Sequence, residues 1–295
     1  MLYQQFELTV AHYPTLDSVI KAELSNADIV QIDQHIFEGI YHSDQLNWKG
    51  DLTFFEKPED FVRSEKERKK LSQSRDFFLA QGYTLEVKEV DEAASQAFAQ
   101  LYNRTTLKKN RAIDYDAELL VKRNVRSGTP VYLFGLYKGP ELLSGLLVTK
   151  VKEDMRVMFG AKLKFDEVRG GIGGVLEMEL LRFCFERGLK RISHGISTNP
   201  AGFVDNAGIF EFKSRYGFTA FPYGEWRTTF VLNPKVAISD LVFLTIVDNG
   251  LCYQVLSLEP KSDIAKYRTR LVTNVQQQTL AHHIEHSRSF FRLPS

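Results

Sequence analysis

From residue 83 onward, apolar and polar positions recur regularly enough to mark out a run of elements. Residues 83–90 alternate with a period of two, as a half-buried strand does. Asp91 is placed to cap a helix reaching about residue 102, and residues 114–126 repeat the helical spacing. Three strands are predicted next, over 131–137, 142–151 and 156–163. Lys138-Gly139-Pro140-Glu141 supplies the first hairpin turn and Lys152-Glu153-Asp154 the second. A glycine-rich turn then leads into a helix predicted over 175–187, with Gly188 at its C-terminal cap. A strand over 191–197, a helix over 206–216 closed by Gly217, and strands over 218–223 and 226–232 complete the run. The order β-α-α-β-β-β-α-β-α-β-β predicts an α/β (α+β) domain with a mixed, mostly antiparallel central sheet flanked by helices.

The flanking stretches are less regular. A helical pattern opens at Tyr13-Pro14 and runs to Leu24, a strand is read over 29–32, and a charged helix follows Asp60-Phe61 through Phe78. Its densest segment, residues 64–70, interleaves glutamate with lysine and arginine, the pattern of a solvated helix face. Beyond residue 233 an apolar hairpin turns at Asp248-Asn249-Gly250 and a polar helical tail follows. The expected division is 1–82, an N-terminal α/β region; 83–233, the regular domain; and 234–295, a C-terminal extension.

Composition narrows the function classes. The 295 residues carry 38 basic and 37 acidic side chains, so net charge gives no reason to expect nucleic acid or an anionic membrane as partner. Two cysteines, Cys184 and Cys252, do not make a disulfide framework or a metal cluster, and Cys184 sits in an apolar run as a buried inert thiol. Residues 1–7 lack the basic start and apolar stretch of a signal peptide, and the longest apolar run, 241–247, is too short to span a bilayer. The expectation is a cytoplasmic, reduced protein.

The chemistry concentrates around Arg169-Gly170-Gly171-Ile172-Gly173-Gly174. Backbone N–H groups in such a turn, opening onto a helix N-terminus, suit an anion. No Gly-Lys-Ser or Gly-Lys-Thr follows, so it is not a P-loop, and it does not open a βαβ unit as a dinucleotide fingerprint does. In context, Gly171-Ile172-Gly173-Gly174-Val175-Leu176 resembles the acyl-CoA pyrophosphate loop of GNAT-family N-acyltransferases. The segment from Phe212 to Phe218 resembles that fold's fourth helix and following strand. Its Phe212-Lys213 pair is similar to Fem-type peptidyltransferases, some of which use an aminoacyl-tRNA donor. The resemblance covers residues 83–232. It implies acetyl-CoA or another acyl-CoA as co-substrate, no metal, a small-molecule or peptidyl amine as acceptor, and a homodimer as one assembly. The implied donor contacts are Phe159, Ala161, Arg169, Gly170, Gly171, Ile172, Gly173, Gly174 and Asn206; Asn199 and Asn206 are candidates for the amide arm or for a helix cap, and capping is the better reading of Asn206.

Four residues are candidates for catalysis. Glu177 falls opposite the polar stripe of Glu179, Arg182 and Glu186, and is expected in the first turn of its helix. A carboxylate on an apolar face is costly unless paired or protonated, which marks it as a base or organiser. His194 shares a strand face with Ile192 and Ile196 and could take a proton from an amine. Lys213 could stabilise an oxyanion or hold a phosphate, the alternative being a snorkelling surface lysine. Tyr216 is a candidate acid or a packing residue. Lys108, Lys109 and Arg111 could attract an acidic substrate or form a solvated basic loop. His282, His283 and His286 invite a metal reading, but a solvated tail helix accounts for them. Two other functions stay open: a transferase using aminoacyl-tRNA, and a non-catalytic ligand-binding module.

Overall fold

The computed structural model describes residues 2–5, 8–106, 117–163, 171–198, 207–236, 240–259, 263–269 and 271–293. From the N-terminus the elements run β1 (Leu2–Gln5), β2 (Leu8–Tyr13), α1 (Lys21–Leu24), β3 (Ile29–Ile32), β4 (Ile40–Asp51), α2 (Pro58–Phe61), α3 (Glu65–Ala80), β5 (Thr84–Glu89), α4 (Glu92–Thr106) and α5 (Ala117–Arg126). They continue through β6 (Val131–Lys138), β7 (Glu141–Val151), β8 (Asp154–Lys162), α6 (Ile172–Glu186), β9 (Arg191–Thr198), α7 (Ala207–Arg215) and β10 (Thr219–Val231). The chain ends with β11 (Leu241–Val247), β12 (Gly250–Ser257), β13 (Asn274–Thr279) and α8 (Leu280–Phe291). The order from β5 to β10 is the one expected from the sequence.

Three differences are informative. The two closing strands are one strand, β10, because Gly224 at φ +78° bends the chain without reversing it. The tail contains a strand, β13, before its helix. Helix α6 starts at Ile172, so Gly173 and Gly174 lie inside it and Glu177 belongs to its second turn.

Contacts divide the chain into two units, Met1–Trp48 with Ile196–Ser295, and Lys49–Gly195. In Lys49–Gly195 the sheet order is β5-β6-β7-β8-β9; the first three pairings are antiparallel and β8 with β9 is parallel. Alternation along β6 sends Val131 and Leu133 into a core with Phe98, Leu101 and Val121 from α4 and α5. Tyr132 and Phe134 point the other way, onto Phe183 of α6. Helix α6 buries Val175, Leu176, Leu180, Leu181 and Cys184, each large aliphatic side chain contributing about 1.5–3 kcal/mol. The polar stripe of α6 carries an ion-pair seam. Glu179 pairs with Arg75 at 3.0 Å and with Arg182 at 2.7 Å, and Arg182 reaches Glu59 at 3.2 Å.

In the other unit, β1-β2-β3-β10-β4 lie side by side, with β2 and β3 parallel. The β11–β12 hairpin turns at Asp248 and Asn249, φ +50° and +64°, the backbone of a type I′ turn. Helix α8 packs Phe290 and Phe291 on Phe230 of β10. Its His283 is buried rather than solvated, with Nε2 accepting the Val231 N–H at 3.4 Å. Among the described residues no helix is long and apolar enough to cross a membrane.

Gly39, just before β4, offers a stability test. A Cβ there would collide with Thr228 Cγ2 and come within 2.7 Å of the Phe230 ring. Thr228 has no room to rotate away, since its hydroxyl accepts from Ile36 N at 2.9 Å and donates to Gln34 O at 2.6 Å. Gly39→Ala should therefore cost about 1–3 kcal/mol in urea unfolding; an unchanged midpoint would contradict this packing.

Candidate functional site

Strand β8 carries an extra residue against β7. Leu147 registers with Phe159 and Val148 with Val157, leaving Met158 as a bulge. On its other side β8 registers with β9 at three positions only, Asp154 with Arg191, Met155 with Ile192 and Arg156 with Ser193. Among the described residues, 157–162 have no registered strand partner on that side. Hydrogen-bonding groups of such an edge are available to an extended ligand. The side chains of Phe159 and Ala161 are not: Phe159 packs on the Tyr102 ring at 5.3 Å, and both are buried in the core. Any donor contact they make is through the backbone.

Helix α6 begins across from this region. Gly171 is its N-cap, with no side chain to satisfy the first N–H groups, which also lack intrahelical acceptors by helix geometry. Ile172, Gly173 and Gly174 form the first turn, so four of the expected loop residues sit at one helix end. Arg169, Gly170, Asn199 and Asn206 lie outside the described residues, as do Lys108, Lys109 and Arg111.

Two candidate catalytic residues meet here. His194 Nε2 lies 3.1 Å from each carboxylate oxygen of Glu177. Both side chains are buried, Glu177 to 1% exposure. The pairing explains how an acid survives on the apolar face of α6. An ionised carboxylate only accepts hydrogen bonds, so opposite one the imidazole proton sits on Nε2. Burial first, and the Glu177 charge second, push the Cys184 thiol up to about 12. That thiol is inert.

Lys213 and Tyr216 belong to the other unit. Lys213 is buried rather than snorkelling, its Nζ 5.3 Å from the Trp48 ring centroid. Trp48 in turn packs edge-on to Phe210. Tyr216 is buried against Phe212, ring centroids 4.7 Å apart. Among the described residues no three His, Cys, Asp or Glu side chains form a group able to hold a metal.

Two further residues escaped the sequence reading. Gly195 takes φ +69° and its N–H donates to Ser193 Oγ at 3.0 Å, so a side-chain bond spans His194 from one neighbour to the other. A glycine inside a strand pattern was the available signal.

No family model matches this sequence, and no curated protein matches it. Among solved structures the chain is similar to L-PGS from Bacillus licheniformis, with 16% identity over 77% of this chain and 78% of that one, at a TM-score of 0.43. It is similar to FemX at 13% identity over 78% and 82%, TM-score 0.47. It is also similar to PaiA N-acetyltransferase from Thermoplasma acidophilum, a structure in complex with coenzyme A. That likeness has 14% identity over 50% of this chain and 98% of that one, TM-score 0.34.

Proposed function

We propose that this protein is a cytoplasmic N-acyltransferase that moves an acyl group from an acyl-CoA, acetyl-CoA foremost, to an amine of a small molecule or peptide. The observation that carries the reading is the buried Glu177–His194 pair next to the point where β9 leaves β8. Direct transfer needs a bound thioester, an acceptor for the amine proton and a partner for the carbonyl oxygen. Among the described residues, the helix end at Gly171–Gly174 suits the pyrophosphate and the backbone of Phe159 and Ala161 suits the amide arm; Arg169, Gly170 and Asn206 are further candidates from the sequence alone. The amine nitrogen attacks the thioester carbonyl, and His194 Nδ1 takes the proton the amine loses. Collapse of the tetrahedral species breaks the C–S bond, and the proton passes to the departing sulfur. Glu177 holds the imidazole and stabilises its protonated form.

The Phe212-Lys213 pair, similar to Fem-type enzymes, supports a second reading with the same fold, in which the donor is an aminoacyl-tRNA ester. Thermal unfolding with acetyl-CoA, CoA and adenosine diphosphate separates the cases. A ligand at about 100 times its Kd should stabilise the native state by about 2.7 kcal/mol. A shift with the CoA species well above that with the diphosphate supports the thioester donor. No shift at millimolar ligand removes it and leaves the tRNA donor or a binding-only role.

A further inference from the structure

We propose that Ser193 and Gly195 are positioning residues, a side-chain-closed turn that aims the His194 imidazole at Glu177 while detaching β9 from β8. Three observations meet at consecutive residues. The registered pairing with β8 ends at Ser193, opposite Arg156. The Ser193 hydroxyl then accepts the N–H of Gly195 at 3.0 Å, replacing the bond a continuing ladder would supply. Gly195 adopts φ +69°, a region a β-branched side chain strongly resists. In a regular strand every second N–H group would go on pairing with β8. The registered pairing stops where the turn begins. His194 lies between the two residues and reaches a carboxylate on α6 at 3.1 Å. Neither Ser193 nor Gly195 is assigned contact with a reacting atom; they act through His194. What the imidazole then does rests on the acyltransferase reading, but the aim of the ring does not.

The test is the tautomer of His194 in the 15N-labelled full-length chain, read from imidazole nitrogen–proton correlation spectra. The signal is assigned by its loss in His194→Gln. Wild type and Ser193→Thr, which keeps the hydroxyl, should show the Nε2–H form alone. Ser193→Ala should show interconverting tautomers while the backbone spectrum stays native. Gly195→Val should behave like Ser193→Ala, and Gly195→Asn like wild type, because asparagine tolerates positive φ. Amine acylation in Ser193→Ala should fall about 100-fold with CoA affinity kept, the scale expected of a group misplaced by about 1 Å. Wild-type tautomer in both Ser193→Ala and Gly195→Val overturns the inference and leaves the Glu177–His194 pair standing. Tautomer loss in those variants, in a protein that binds no CoA, upholds the positioning role and removes the acyl-CoA reading instead.

Discussion

Glu177→Gln should lower amine acylation about 100- to 10,000-fold while leaving CoA binding intact, because a positioned base and its orienting carboxylate contribute on that scale. Glutamine is close to the same size, so the packing of α6 survives the change. What changes is the chemistry at His194 Nε2. The carboxylate can only accept a hydrogen bond there, whereas an amide can also donate one. If it donates, the ring proton moves to Nδ1 and the lone pair that takes the amine proton is lost. Glu177→Ala adds a stability cost of about 1–3 kcal/mol, since it leaves the buried Nε2–H without an acceptor. Glu177→Gln and His194→Gln should each cost nearly as much as the double variant, as expected of residues that act as one unit. The measurement is thiol release from acetyl-CoA against a panel of amines, with CoA affinity by calorimetry. Full turnover in Glu177→Gln would remove the pair from the mechanism.

Stability should fall steeply as pH drops from 6.5 toward 4. His42 and His283 are both held neutral in the fold, lowered from the ordinary 6.5 to about 4. Burial dominates in each case, followed for His42 by the Arg227 charge, set against a backbone hydrogen bond to Ser43, and for His283 by His286 and His282. Both rings are already committed as neutral groups. His42 Nε2 sits 2.8 Å from Thr229 Oγ1, and His283 Nε2 accepts from Val231 N, a role a protonated ring cannot play. The folded values lie below the unfolded one, so between pH 4 and 6.5 the unfolded chain binds more protons and stability rises with pH. Their contribution is fully present above 6.5 and lost as pH falls through the window. Each histidine supplies at most about 3 kcal/mol, since a tenfold change in proton affinity is worth about 1.36 kcal/mol. Urea denaturation across this window should show the slope, and His283→Gln should remove about half of it. A flat profile would contradict the burial of both rings.

Much of the fold was legible because it depends on neighbours in the chain. The turns at Gly139, at Lys152 and at Asp248-Asn249 and the glycine closing α6 are all settled within a few residues. Strand β4 was not legible. Its buried positions include His42 and Ser43, which only bonds to Thr229 and Gln45 make tolerable inside. The charge stripe on α6 was legible, but nothing local shows that Glu59 and Arg75 will pair with it.

By itself, then, the sequence determined the succession of strands and helices, the glycine-rich start of α6 and the anomaly of an acid on that helix's apolar face. Periodicity, capping and turn chemistry are short-range and need no partner from elsewhere. Only the tertiary structure decided that Glu177 meets His194, that Lys213 is buried beside Trp48, and that residues 1–48 fold with 196–295. Those outcomes follow from which distant surfaces exclude water together. A polar group's worth is set there, by the partner that meets it once its water is gone.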